Sequence, residues 1–191
     1  MASRARVREN LRFDFGAWTL DFENVMNQFK KSNLRIAALA LVIFALDQCT
    51  KLLVLHTLYI GDERGIIPGF FKFVHWRNTG AAMSLFQGDN AVLALVALLA
   101  FVALYLTRHH FDSHTLMGQV AFGLIFGGIA GNLFDRVVRH DVVDFIRFYL
   151  IQRNGDELGF PAFNVADSAI CIGVGLIFLI TWKNENTPKT V

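Results

Sequence analysis

Hydrophobic positions gather in four long blocks, residues 36–60, 91–107, 115–134 and 165–182, separated by segments rich in polar residues, glycine and proline. At 1.5 Å per helical residue each block is long enough to cross a hydrocarbon core of roughly 30 Å, which predicts four membrane-spanning helices. Ahead of them, residues 1–35 set Leu11, Phe15, Trp18, Phe22, Val25 or Met26, and Phe29 at helical spacing between two basic ends. That pattern suits a helix lying on a membrane surface. Phe13, Phe15, Trp18, Leu20 and Phe22 also alternate like a strand, so a partly disordered tail is the competing expectation. Residues 61–90 carry glycine, proline and the alternation Phe71, Phe73, His75, which predicts a small strand-rich module between spans one and two. Residues 108–114 form a short loop, residues 140–164 join spans three and four, and residues 183–191 form a tail. The expected class is an all-α membrane protein with this small strand-rich module outside the cytoplasm and an interfacial N-terminal helix.

Composition strengthens the membrane assignment. Of 191 residues, 54% are hydrophobic and only 18% charged. A soluble domain of this size could not cover four such blocks with polar surface, and the same composition excludes disordered and collagen-like chains. The first block begins behind a long polar segment and contains Asp47 and Lys51, so it reads as a retained span rather than a cleaved signal peptide. A net charge of +2 is too mild to argue for nucleic acid. Cys49 and Cys171 fall inside apolar blocks without metal-ligand spacing, and are expected to be small buried hydrophobes.

Four spans put both termini on one side. Basic residues are more numerous there, above all at Lys30, Lys31 and Arg35, so the termini are expected in the cytoplasm. The loop 61–90, the end of span three and the start of span four then share the outer face. That face collects Asn78, Asn132, Asp135, Arg136, Asp144, Asn164 and Asp167, in the runs RNTGAA, GNLFDR, VVDFI and FNVADS. Polar groups at the edge of the hydrocarbon are costly unless paired or working. Each has a bland reading, such as helix capping for Asn164 and Asp167 or a surface pair for Asp135 and Arg136. Seven converging on one face point to a site.

Asp47 and Lys51 are one helical turn apart, either a neutralising pair that holds helices together or part of the chemistry. Glycines at 118, 123, 127, 128, 131, 173 and 175 permit close approach of spans three and four, which brings Asp144 and Asp167 within reach of each other. Two adjacent carboxylates cannot both ionise cheaply, so one keeps a proton. The ionised member can then take a proton from water while the other polarises a carbonyl, as peptide hydrolysis without a cofactor requires. Ser84 and Ser168 lack a histidine base, and a Ser–Lys mechanism needs Lys51 beside Ser84. His110 and His114 have a weak zinc-like spacing, but lie on the opposite side without a third ligand.

The runs DQCTK (47–51), RNTGAAMS (77–84), GGIAGNLFDR (127–136), VVDFI (142–146) and FPAFNVADS (160–168), in this order, resemble the bacterial lipoprotein signal peptidases, also called signal peptidase II. The resemblance covers roughly residues 36–182. It implies an integral-membrane aspartic protease, without metal or organic cofactor, that cleaves diacylglyceryl-modified prolipoproteins just before the lipidated cysteine and is blocked by the cyclic peptide globomycin. By motif position it implies Asp144 and Asp167 as the catalytic pair. Asp47, Lys51, Asn78, Asn132, Asp135, Arg136 and Asn164 would support the site or contact substrate. Met83 stands where phenylalanine is common, and the segment 1–33 is not covered. Residues 61–90 would form a platform at the membrane surface, and residues 147–164 a flap over the cleft. The expected setting is the bacterial inner membrane, with the site at its outer face. The expected partners are prolipoproteins and membrane lipids, not nucleic acid, and the expected working unit is a monomer. Two other classes compete: a cation-coupled transporter using Asp47, Lys51 and Asp135 as a relay, and a non-catalytic membrane assembly protein.

Overall fold

Apolar runs free of proline fold into four helices: α1 Phe15–Thr57, α2 Asn90–Thr107, α3 Leu116–Val138 and α4 Val165–Asn186. The computed structural model describes residues 15–80 and 89–186, without the side chains of residues 15–26 and 29. Met83, Ser84 and residues 1–14 lie outside the described residues. Four of the described helices are long and apolar enough to cross a membrane. The segment expected as a surface helix is helical from Phe15 onward, but it runs into the first span as one element of 43 residues. At 1.5 Å per residue α1 is roughly 65 Å long, about twice the thickness of a hydrocarbon core.

Helix α3 is the hub, packing against α1, α2 and α4. Its glycines do more than the sequence suggested. Spaced four apart, Gly123, Gly127 and Gly131 form one stripe that faces α1, with Gly131 also close to Ala166 of α4. A Cβ there would come within 2.8 Å of Leu39, 2.6 Å of the Ala40 carbonyl and 2.5 Å of the Asp47 carboxylate. Gly128, turned away from that stripe, meets the Ala166 carbonyl of α4 at 2.5 Å, and Gly173 of α4 meets Ile125 at 2.6 Å. Gly118 abuts the loop at Asp112, while Gly175 faces open space. Ile36, Phe122 and Phe126 form one core cluster, with Ala40, Phe101, Leu104 and Ile177 packed against it.

The expected strand module is present and larger than predicted. Strands β1 Glu63–Ile67 and β2 Phe71–Asn78 form a hairpin, and the connection after α3 returns as β3 Val142–Ile151 and β4 Glu157–Gly159. All four make one antiparallel sheet in the order β1-β2-β3-β4. Lys72 on β2 reaches both edge strands, with Glu63 at 2.5 Å and Glu157 at 2.6 Å. Burial opposes its charge, but the two carboxylates outweigh that and raise its pKa.

A bulge sets the functional register. Phe73 pairs with Ile146, yet Trp76 pairs with Asp144, so Val74 and His75 together oppose Phe145. Without the extra residue, Arg77 would share the face of Asp144; with it, Asn78 does. Beneath β3, Val143 and Phe145 pack on Val54 of α1, with Val165 of α4 against the same cluster, which fixes the strand to the helix ends.

The cysteine expectation is corrected. Cys49 and Cys171 are free and exposed on the outer faces of α1 and α4. Those faces also present Leu46 and Leu53, and Ile172 and Val174, to the surroundings. Apolar sequence predicted burial, but in a bundle with lipid-facing surfaces an apolar position need not face protein.

Candidate active site

The start of α4 is built as a reciprocal cap. Asn164 accepts from the Asp167 backbone N–H at 3.0 Å, and Asp167 Oδ2 accepts from the Asn164 N–H at 3.1 Å, the pattern that satisfies two orphan donors of a helix N-terminus. The capping reading of these two residues is therefore correct, and it does not exhaust them. The side-chain amide of Asn164 also donates to Asp144 Oδ1 at 2.9 Å, so one buried asparagine ties both carboxylates together. The second oxygen of Asp144 accepts from Asn78 Nδ2 at 2.9 Å, and Asp167 Oδ1 accepts from Asn132 Nδ2 at 2.7 Å.

Asn132 is oriented from below. Its Oδ1 accepts from Lys51 Nζ at 3.0 Å and from Asn164 Nδ2 at 3.2 Å. An ammonium can only donate, so Lys51 fixes which end of the amide faces Asp167. Lys51 in turn is fully buried between Asp47 at 2.8 Å and Asp135 at 2.7 Å. Asp47 Oδ1 accepts from the Ala166 N–H at 3.0 Å, capping α4 from α1. Lys51 is thus held by two acids and an amide.

Of the nine residues singled out in the sequence, eight share this hydrogen-bond network. Arg136 is placed differently: it donates to the Gly80 carbonyl at 3.0 Å and to Asn90 Oδ1 at 3.3 Å. It fastens both ends of the connection between β2 and α2 to α3. Sequence reasoning missed Gln48 and Arg139. Gln48 Nε2 donates to Asp47 and Asp135, each at 3.1 Å, and its Oε1 accepts from Arg139 at 2.8 Å. Arg139 also pairs with Asp135, one turn back. That i,i+4 spacing was the available signal. Among the described residues no group of His, Cys, Asp and Glu is arranged to hold a metal ion.

Asp144 is buried, and burial pushes its carboxyl up from the usual 3.8 to about 7. The neighbouring Asp167 charge adds to the rise, while Asn78, the Lys51 ammonium and Asn164 pull it back. A buried carboxyl that can hold a proton at neutral pH, beside a second carboxyl, is what acid–base hydrolysis needs.

Residues 39–183 match the family model described as signal peptidase (SPase) II. The chain belongs to the signal peptidase II family. Its relatives include the lipoprotein signal peptidases of Symbiobacterium thermophilum, 42% identical over 74% of this chain and 90% of that protein, and Anoxybacillus flavithermus, 35% identical over 79% and 87%. The Bacillus subtilis enzyme is 38% identical over 74% and 88%. A solved structure described as a bacterial membrane enzyme at 1.9 Å superposes with a TM-score of 0.66 at 34% identity, over 83% of this chain and 95% of that one. As a signal peptidase II it is a multi-pass membrane protein and an aspartic endopeptidase that removes signal peptides from prolipoproteins. Neither a transporter nor a non-catalytic assembly protein fits this family.

Proposed function

We propose that Asp144 and Asp167 are the catalytic pair of this signal peptidase II, and that the observation carrying the assignment is Asn164 bridging them. Asp144 holds the shared proton at neutral pH and Asp167 is the base. As a water oxygen attacks the scissile carbonyl carbon, Asp167 takes a water proton and Asp144 gives its proton to the carbonyl oxygen. When the tetrahedral diol collapses, the C–N bond breaks. The departing nitrogen leaves with the proton that Asp167 took, and Asp144 recovers its own from the diol hydroxyl. Asn78, Asn132 and Asn164 hold the two carboxylates in register. Asp47, Lys51 and Asp135 lock the helices beneath them, and Arg136 anchors the connection that flanks the site.

The substrate's acyl chains lodge between helices within the bilayer, and the bond cut is the one just before the diacylglyceryl-modified cysteine. The basic residues before the first span support cytoplasmic termini and an outer-face site in the inner membrane. The extension of α1 before Lys30 leaves the membrane on the cytoplasmic side, the sheet is the platform at the outer surface, and the β3–β4 hairpin covers the cleft. The enzyme works as a monomer. Purified enzyme in detergent should cut a diacylglyceryl-modified prolipoprotein at that bond and be stopped by globomycin. Equal cleavage of the unlipidated precursor would overturn the substrate assignment.

A further inference from the structure

Four charges lie beneath the dyad, and the catalytic scheme uses only part of what holds them. Asp47 and Asp135 supply two negative charges, and Lys51 is the one cation placed between them. The second positive charge comes from Arg139, just past the end of α3, whose guanidinium pairs with Asp135 and donates to Gln48 Oε1 at 2.8 Å. A guanidinium can only donate, so it fixes the Gln48 amide with its nitrogen toward Asp47, Asp135 and the Gly131 carbonyl at 3.1, 3.1 and 3.3 Å. This repeats one level down the logic by which Lys51 fixes Asn132. In both places a cation orients an amide, and the amide holds a carboxylate.

We infer that Arg139 and Gln48 are further positioning residues for the reaction, keeping the buried acid cluster neutral and in one orientation beneath Asp167 and Asp144. The inference rests on the dyad reading above. Without Arg139, Lys51 is, among the described residues, the one cation ion-paired to Asp47 and Asp135, Arg136 acts on Asp135 only through space, and the ion-paired cluster gains a net negative charge. Asp135 then competes for Lys51 and loosens its hold on Asn132, the donor to Asp167. Extra negative charge also opposes ionisation of both dyad members, so both limbs of the pH–rate profile move to higher pH. The other charged groups of the region stay in place. Arg136 on α3 is bonded to Gly80 and Asn90, and Arg77 on β2 is closed against Asp141 at 2.7 Å.

The test compares wild type with Arg139→Gln, Arg139→Lys and Gln48→Met as full-length enzymes in detergent, acting on a diacylglyceryl-modified prolipoprotein. Arg139→Gln should lower kcat by about 10- to 100-fold with little change in KM. Its two limbs should move up by about half a pH unit or more, and Arg139→Lys should return them towards wild type. Gln48→Met, which keeps the charges, should lower kcat without moving the limbs, and it decides the matter if Arg139→Gln does not fold. Unmoved limbs in folded Arg139→Gln, no rescue by lysine, or wild-type kcat in Gln48→Met would overturn the inference. A wild-type profile with no two limbs would instead overturn the dyad reading on which it rests.

Discussion

Asp47 of α1 accepts a hydrogen bond from the backbone N–H of Ala166, 119 residues later, at 3.0 Å. The same carboxylate pairs with Lys51 at 2.8 Å with neither side chain exposed. One acid therefore caps the helix that carries Asp167 and neutralises the lysine that orients Asn132. Removing it leaves a buried ammonium with one partner fewer and the Ala166 N–H without its acceptor, while the Asn164–Asp167 cap remains. Asp47→Ala should cost about 3–5 kcal/mol. Asp47→Asn, which keeps an acceptor for Ala166, should cost less. Thermal melts in detergent read the stability, and single-turnover rates at saturating substrate should fall less than for the dyad variants. A stable Asp47→Ala protein would remove this locking role.

The glycines of α3 and α4 make a graded prediction. A methyl group at Gly131 would sit 2.5 Å from the Asp47 carboxylate and one at Gly128 2.5 Å from the Ala166 carbonyl, whereas Gly175 has nothing within reach. Gly131→Ala and Gly128→Ala should each destabilise by about 1–3 kcal/mol or more. Gly175→Ala on α4, which meets nothing and gains only helix propensity, should melt at or slightly above wild type. Equal melting temperatures for all three would mean that the helices have room to part.

Asp144 gives a pH dependence of stability with a definite sign. Its native pKa of about 7 lies above the usual 3.8, so between these values the folded state binds the proton and the unfolded chain does not. Stability must fall as pH rises through that window and level off above it, a cost of up to roughly 4 kcal/mol. Asp144→Asn removes the charge while keeping the shape. It should melt higher than wild type at pH 8, and the gap should close near pH 4. A gap independent of pH would contradict the raised carboxyl.

Cys49 and Cys171 sit on exposed outer faces of their helices, away from the dyad network. Replacing both with alanine should leave cleavage within about two-fold of wild type, a change worth less than 0.5 kcal/mol. A folded double variant that cannot cleave would reopen a thiol mechanism.

The helices were legible because apolar runs long enough to span a membrane carry their own signal. The convergence of Asn78, Asn132, Asp144, Asn164 and Asp167 was legible from span parity, which puts alternate connections on one face. Strand β3 was not. Its run VVDFIRFYLI is buried at one end and lacks clean alternation, and its partner Asn78 lies 64 positions before Val142, so no local pattern announces the pairing. The bulge at Val74 and His75, which decides that Asn78 rather than Arg77 meets Asp144, is a register property invisible in either strand alone. Gln48 and Arg139 escaped because a glutamine beside an acid and an arginine at a helix end read as ordinary surface residues. Only the packing of α1 on α3 buries Gln48 and brings Arg139 against it.

The most direct measurement is single-turnover cleavage of a diacylglyceryl-modified prolipoprotein by purified Asp144→Asn, Asp167→Asn and the double variant, with folding checked by thermal melt. Each single change should lower the rate by several orders of magnitude, and the double change should cost little more, because the two carboxyls act as a unit. Near wild-type turnover in either folded single variant would contradict the dyad and move the search to Asp135 and Asp47.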